Sequence, residues 1–178
     1  MGVFCSVTIL LFSKFVRMIY LVYIALTLFT FAVMEGVTWF THKYIMHGLM
    51  WYFHRDHHQV EPGFFEKNDF FFLIFAIPSW LCIMLGLMNQ HYFVVCIGAG
   101  IALYGIAYFF VHEVFIHQRF KWLRNTDNVY FRGLRKAHKV HHKHLGKEDG
   151  ECFGMLFVPI KYFKEARNSM QNKNTSNK

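Results

Sequence analysis

The uncharged apolar stretch of residues 70 to 111 constrains the fold of this chain more than any other feature. It contains no Asp, Glu, Lys or Arg, and only a short polar break at residues 89 to 91 interrupts it. At about 1.5 Å per residue the stretch makes about 63 Å of helix, enough to cross a hydrocarbon core of about 30 Å twice. We therefore predict a transmembrane helical hairpin, with Pro78 bending its first arm. Small residues would let the second arm approach a neighbouring helix closely. These residues are Gly98, Gly100, Ala102 and Gly105.

A further span is predicted upstream, from Met18 to Phe40, where Glu35 is the single charged residue. Hydrophobic residues make up 54% of the chain and aromatic residues 20%, which is too apolar for a soluble domain of this size. The prediction is an all-α integral membrane protein with three transmembrane helices, or four if residues 1 to 17 contribute a partial helix. We expect an N-terminal extension over residues 1–17, a membrane domain over 18–160, and a flexible, polar and basic tail over 161–178.

Ten of the twelve histidines form clusters that directly follow the predicted spans. Two of the clusters are pairs with four residues between them, and two are HxxHH motifs. Because the hairpin returns the chain to the membrane surface that it left, all four clusters should lie at one surface. The clustered residues are His42, His47, His54, His57, His58, His112, His117, His138, His141 and His142.

The distribution of charge predicts the orientation of this surface. Lys and Arg number 19 against 11 Asp and Glu, and seventeen of the basic residues lie on the histidine side. Cytoplasmic segments of membrane proteins carry such an excess, so the histidine side should be cytoplasmic. Contact with anionic lipid headgroups and docking of an acidic protein account for the charge, and no nucleic-acid recognition motif is present.

The histidine spacings indicate metal binding. On a helix, HxxHH places three imidazoles on one face, whereas residues five apart converge only at a helix end or a π-bulge, for which Gly48 is a plausible exit. Ten imidazoles exceed the three or four ligands of a zinc site and suit two metals with four to five ligands each. Iron is favoured for activating oxygen against an apolar substrate, although zinc and copper also bind imidazole.

Other candidate residues are few. Asp56 and Glu113 are candidates for carboxylates that orient metal-bound imidazoles. His91 and His144 have no partner at ligand spacing and are interpreted as solvated or interfacial residues. No catalytic residue separate from the metal ligands is indicated, and the substrate-binding residues are not predicted.

These motifs resemble the fatty acid hydroxylase and sterol desaturase superfamily, which is marked by HxxxxH and HxxHH boxes around a di-iron centre. Within it, the segments HKYIMHGLMWYFHRDHH, FAIPSW, HEVFIHQRF and AHKVHH are similar to those of bacterial β-carotene hydroxylases. The resemblance covers residues 18 to 159. It implies that the ten clustered histidines surround two Fe ions and that O2 is the co-substrate. It further implies 3-hydroxylation of β-carotene through β-cryptoxanthin to zeaxanthin.

The resemblance also implies an external electron donor, expected to be a ferredoxin with its NAD(P)H-dependent reductase, and a location in the bacterial inner membrane. Two alternatives stay open. One is another di-iron membrane hydroxylase, desaturase or ketolase acting on a fatty acyl, sterol or carotenoid substrate. The other is a membrane metal carrier or sensor, although transporters usually place polar groups inside their spans. The oligomeric state is not predicted.

Overall fold

The computed structural model describes residues 2–59, 62–120 and 125–176, and these residues form helices without any strand. Six α-helices, two π-helices and one short 3₁₀ turn follow one another along the described chain. In order they are α1 Gly2–Phe40, π1 Thr41–Leu49, α2 Trp51–His58, the 3₁₀ turn Lys67–Asp69, α3 Phe70–Met88, α4 Tyr92–Phe109, π2 Phe110–Ile116, α5 Val129–His141 and α6 Ile160–Ser176.

The prediction of three membrane spans is confirmed. Within the described residues, three helical stretches are long and apolar enough to cross a membrane: Lys14–Leu49, Lys67–Met88 and Tyr92–Ile116. Residues 2 to 17 continue helix α1 without a break, so they extend the first span and do not form a fourth segment of their own.

The predicted hairpin is helices α3 and α4, with a turn at residues 89 to 91. A Cβ on Gly98 would lie 2.8 Å from the Ser79 carbonyl oxygen of α3, and one on Gly100 would lie 2.7 Å from the Thr27 carbonyl oxygen of α1. These glycines therefore bring α4 close to both neighbours, as expected. Gly105 differs from the expectation, because a Cβ there would meet nothing within 4 Å.

The polar tail also differs from the expected flexible segment, because residues 160 to 176 form helix α6. Tyr162 and Ala166 are buried, and the Phe163 ring stacks on that of Tyr130 of α5 with centroids 5.7 Å apart. These apolar residues share one helical face. They pack on helix α5, which is amphipathic. The composition of the segment alone does not reveal this packing. Residues 177 and 178 lie outside the described part.

Candidate metal centre

Both histidine pairs with four intervening residues occur at π-helices, one of the two geometries that the spacing required. His42 and His47 belong to π1, while π2 carries His112 and is followed directly by His117. The backbone N–H of His117 donates to the His112 carbonyl, an i to i+5 hydrogen bond of 2.9 Å. The backbone of π1 departs from helical geometry at Gly48, the expected exit point. In each pair the extra residue per turn brings the two imidazoles onto one side.

The structure gathers nine of the ten clustered histidines into two groups whose candidate ligand atoms lie within 4.8 Å of one another. The two groups adjoin, since the ring of His57 of the second group lies 5.4 Å from that of His54 of the first, between centroids. This proximity confirms that the clusters lie at one membrane surface. The first group is His42, His47, His54, His58 and His141; the second group is His57, His112, His117 and His138.

His142 lies between the two groups. Its ring stacks on that of His58 with centroids 4.5 Å apart and lies 4.7 Å from that of His57. Among the described residues, its buried Nε2 has no hydrogen-bond partner, and neither has the Nε2 of His58.

Seven of these imidazoles donate a hydrogen bond from Nδ1 to an oxygen, which fixes their tautomer. A neutral imidazole has one hydrogen, so Nε2 keeps a lone pair when Nδ1 donates. Carbonyl oxygens accept from His42, His47, His58 and His141, the Asn68 side chain accepts from His54, and carboxylates accept from His57 and His112.

This tautomer leaves lone pairs facing each other. The two Nε2 atoms are 3.1 Å apart in His42 and His54, 3.2 Å in His47 and His141, and 3.1 Å in His57 and His112. No hydrogen is present between them, so each contact needs a cation to be favourable. Imidazole nitrogens lie about 2.0 to 2.1 Å from a bound metal, and neighbouring ligands at right angles are then about 3 Å apart. The residues therefore fit metal ions in both groups.

The electrostatics keep the imidazoles neutral, as metal binding requires. Burial, together with repulsion from the neighbouring His47, lowers the pKa of His58 to about 4. Burial and the neighbouring His58 lower the pKa of His141 to about 3. In the second group, burial and His112 lower the pKa of His117 to about 3. Protons therefore do not compete for these nitrogens near neutral pH.

Two carboxylates hold imidazoles of the second group. Glu113 accepts from His112 at 2.6 Å, as the sequence suggested, and Glu66 accepts from His57 at 2.8 Å. Arg119 connects these carboxylates, with nitrogen to oxygen distances of 3.1 Å to Glu113 and 3.5 Å to Glu66. Burial raises the pKa of the Glu66 carboxyl, and the positive charge of Arg119 opposes that rise.

The structure gives Asp56 a different role from the one expected. Its carboxylate accepts the backbone N–H of Lys67, at the start of the 3₁₀ turn, and among the described residues it makes no hydrogen bond to an imidazole. The sequence did not identify Asn68 and Glu66 as partners of the imidazoles. Their only distinguishing feature in the sequence is their position just before an apolar stretch. His91 is exposed, as expected of a residue in the short turn. His144 contributes its carbonyl oxygen, which accepts from His58 at 2.9 Å.

An apolar cavity of about 820 Å³ lies beneath the histidines, among α1, α3 and α4. Its histidine end is formed by Asn68, Glu113 and Tyr108, whose ring stacks on His112 with centroids 4.8 Å apart. Phe72 and Trp80 line the cavity and are also exposed, so it reaches the apolar outer surface of the spans. Its volume suits a sizeable apolar ligand.

Comparison with known proteins agrees with this architecture. The fatty acid hydroxylase family model matches residues 27–163. The chain is 40% identical over 126 residues to a β-carotene hydroxylase of Pantoea ananas, covering 71% of each chain. It is 39% identical to that of Pseudescherichia vulneris, covering 70% of each, and 33% identical to that of Paracoccus sp. (strain PC1), covering 73% of this chain and 80% of the relative. No solved structure matches the chain.

The matched region contains the second and third spans, the C-terminal part of the first, both π-helices, both HxxHH motifs and the residues that line the apolar cavity. Its buried imidazoles are of the kind that can hold metal ions. On the family match and the similarity to these relatives, the chain belongs to the fatty acid hydroxylase family.

Proposed function

We propose that this protein is a carotenoid 3-hydroxylase, which converts β-carotene through β-cryptoxanthin to zeaxanthin with O2. The relatives named above are β-carotene hydroxylases, and they match along most of their own length. The observation that carries the proposal is the continuity between the apolar cavity and the histidines. A cavity that reaches the lipid-facing surface and ends at Tyr108 and Glu113, which contact His112, suits a long apolar substrate with its reacting ring at the histidine end.

We propose that the ten clustered histidines hold two iron ions. When bound, these ions supply the redox chemistry that inserts one oxygen atom of O2 into a C–H bond. The side chains themselves keep Nε2 of each fixed imidazole free of protons, through the Nδ1 hydrogen bonds. The aromatic walls of the cavity, such as Phe75 and Phe109, exclude water from the reacting ring. We propose no catalytic residue separate from these metal ligands.

We propose that electrons come from a separate acidic protein, a ferredoxin reduced by an NAD(P)H-dependent reductase. Exposed basic residues on and beside α5 support this proposal, because they would steer an acidic partner to the cap that holds the histidines. These residues are Lys136, Lys139, Lys143 and Lys147. The same excess of basic residues favours a bacterial inner membrane location with the histidines on the cytoplasmic side.

Expression in a bacterium that makes β-carotene tests the proposed reaction. Pigments are extracted and separated by chromatography from cells carrying the intact chain or the His141→Ala variant. We expect β-cryptoxanthin and zeaxanthin only with the intact chain. If β-carotene persists although the protein is in the membrane and reduced ferredoxin is supplied, the substrate assignment is wrong. Fatty acyl and sterol profiles of the same cells would then identify the alternative substrate.

A further inference from the structure

Glu35, the single charged residue predicted in the first span, makes an unusual set of hydrogen bonds. Its Oε1 accepts three consecutive backbone N–H groups, those of Met155, Leu156 and Phe157, each at 2.9 Å. Its Oε2 accepts the hydroxyl of Tyr104 of α4 at 2.7 Å. One carboxylate of α1 therefore ties together α4 and the segment of residues 150 to 157, which we call the 150–157 turn.

The 150–157 turn forms one wall of the first metal group. The Phe153 carbonyl accepts from His42 Nδ1 at 3.0 Å, and the Glu151 carbonyl accepts from His141 Nδ1 at 2.9 Å. The Phe153 ring also meets the rings of His42, His47 and His141 edge-on, with centroids 5.1 to 5.4 Å apart. The turn therefore sets the tautomer of His42 and His141, and its Phe153 ring packs against all three imidazoles.

The turn follows a tight path that needs an external anchor. A Cβ on Gly154 would overlap the Phe157 carbonyl oxygen and lie 3.3 Å from Glu35 Oε1. The N–H groups of residues 155 to 157 point to one side of the turn, where the carboxylate meets all three. A carboxylate that accepts several N–H bonds forms charge-assisted hydrogen bonds, which are stronger than neutral ones.

We propose that Glu35 is a positioning residue for the first metal group. By anchoring the 150–157 turn, it holds the carbonyls that keep His42 and His141 in the tautomer with a free Nε2. The inference rests on the metal centre of the proposed function and is independent of the substrate. The second group depends on Glu66 and Glu113 for the same purpose, so the effect of Glu35 should be confined to one group.

The experiment measures Zn²⁺ affinity in purified chains that retain one group each. Zn²⁺ is bound by imidazole and does not change oxidation state, so no substrate or electron donor is needed. The His57→Ala/His117→Ala background keeps the first group, and the His42→Ala/His47→Ala/His141→Ala background keeps the second. Glu35→Leu is placed in both backgrounds, and Zn²⁺ is titrated against a chromophoric chelator.

Loss of a partner that orients a metal-bound imidazole typically lowers metal affinity 10- to 100-fold. We expect a loss on the order of 10-fold or more from Glu35→Leu in the first-group background and less than about 2-fold in the second-group background. Glu35→Gln keeps an oxygen that can accept the three N–H bonds but loses the charge that strengthens them, so its loss should be smaller than that of Glu35→Leu. Tyr104→Phe removes only the hydroxyl bond and should cause a smaller loss with the same selectivity.

Three results would overturn the inference. Equal losses in both backgrounds, including failure of the Glu35→Leu chain to fold, would make Glu35 a general stabilising residue. Unchanged affinity in the first-group background would remove its role altogether. A loss from Glu35→Gln as large as that from Glu35→Leu would show that the accepted N–H bonds are not what matters. None of these results bears on pigment conversion by the intact chain, which tests the proposed function separately.

Discussion

Arg119 donates a hydrogen bond to Asp69 at 2.9 Å, and this pair joins the segment after π2 to the start of α3. The same guanidinium neutralises Glu66 and Glu113, the two carboxylates that hold His57 and His112. We predict that Arg119→Gln lowers metal affinity at the second group about 10- to 100-fold, because both carboxylates lose their common partner. Metal retained after dialysis against a graded chelator series measures this loss.

Arg132→Gln is the matched control for this prediction. Arg132 pairs at 3.7 Å with Asp127, which is 97% exposed, and such surface pairs contribute little to stability. Its substitution should leave metal retention unchanged. Equal retention in the Arg119→Gln and Arg132→Gln chains would contradict the role assigned to Arg119.

The stability of the metal-free protein should fall as the pH is lowered from about 6.5 to about 4. The pKa values of His58 and His141 are about 4 and about 3 in the folded chain, below the value of about 6.5 for free histidine. The unfolded chain therefore takes up protons first, and each such histidine costs about 1.4 kcal/mol of unfolding free energy per pH unit within this window. Thermal unfolding of the metal-stripped protein in detergent measures the trend.

Replacement of the titrating groups provides the comparison for the pH experiment. A His58→Gln/His141→Gln chain should show a shallower decline of its melting temperature between about pH 6.5 and about pH 4. A melting temperature that rises on acidification of the unsubstituted metal-free chain would refute the assignment of neutral buried imidazoles.

Gly105 should control the width of the substrate cavity. A Cβ there meets nothing within 4 Å, and Gly105 lines the cavity one helical turn before Tyr108. We predict that Gly105→Leu fills this space and reduces β-carotene conversion at least 10-fold, while metal content and melting temperature stay unchanged. Conversion in cells and metal content of the purified chain are measured together.

The neighbouring glycines of α4 provide a contrast to Gly105. A Cβ on Gly100 would lie 2.6 Å from the Thr30 side chain and 2.7 Å from the Thr27 backbone, so Gly100→Ala should destabilise the contact of α4 with α1. We expect a lower melting temperature from Gly100→Ala and not from Gly105→Leu. The opposite ranking would show that Gly105 belongs to the packing of the helices.

Single histidine substitutions should distinguish histidines that bind metal from those that do not. His57→Ala and His141→Ala each remove one buried imidazole without altering a span, so both chains should insert in the membrane and fail to hydroxylate. His91→Ala alters only an exposed residue of the hairpin turn and should leave conversion unchanged. Full conversion by either of the first two variants would exclude that residue from the ligand set.

Much of this architecture could be predicted from local patterns in the sequence. The lengths of the apolar stretches predicted the three spans. Because the hairpin crosses the membrane twice, the histidine clusters were predicted to lie at one surface. The spacing of His112 and His117 required a helix end or a π-bulge, and π2 supplies the latter. Each of these inferences depends on residues that are close together along the chain, where helical geometry alone relates them.

The partners of the imidazoles could not be predicted, because they are distant in sequence and follow no period. His42 donates to a carbonyl 111 residues later, and Glu35 accepts from amides 120 to 122 residues later. Asp56 was assigned to the histidines because it lies between two of them along the chain, yet its carboxylate accepts the backbone N–H of Lys67. Every residue has a backbone carbonyl, so the sequence does not show which carbonyls accept from the imidazoles. Because most of the imidazole partners are backbone carbonyls, only the structure identifies them.

The number of iron ions bound per chain tests the central claim most directly. The chain is expressed with iron, purified in mild detergent without chelators, and analysed for metal and protein together. Two irons per intact chain, and at most one in His42→Ala/His47→Ala/His141→Ala and in His57→Ala/His117→Ala, are the predicted result. One iron or none in the intact chain after reconstitution, or two irons in either variant, would contradict a centre of two metals held by these histidines.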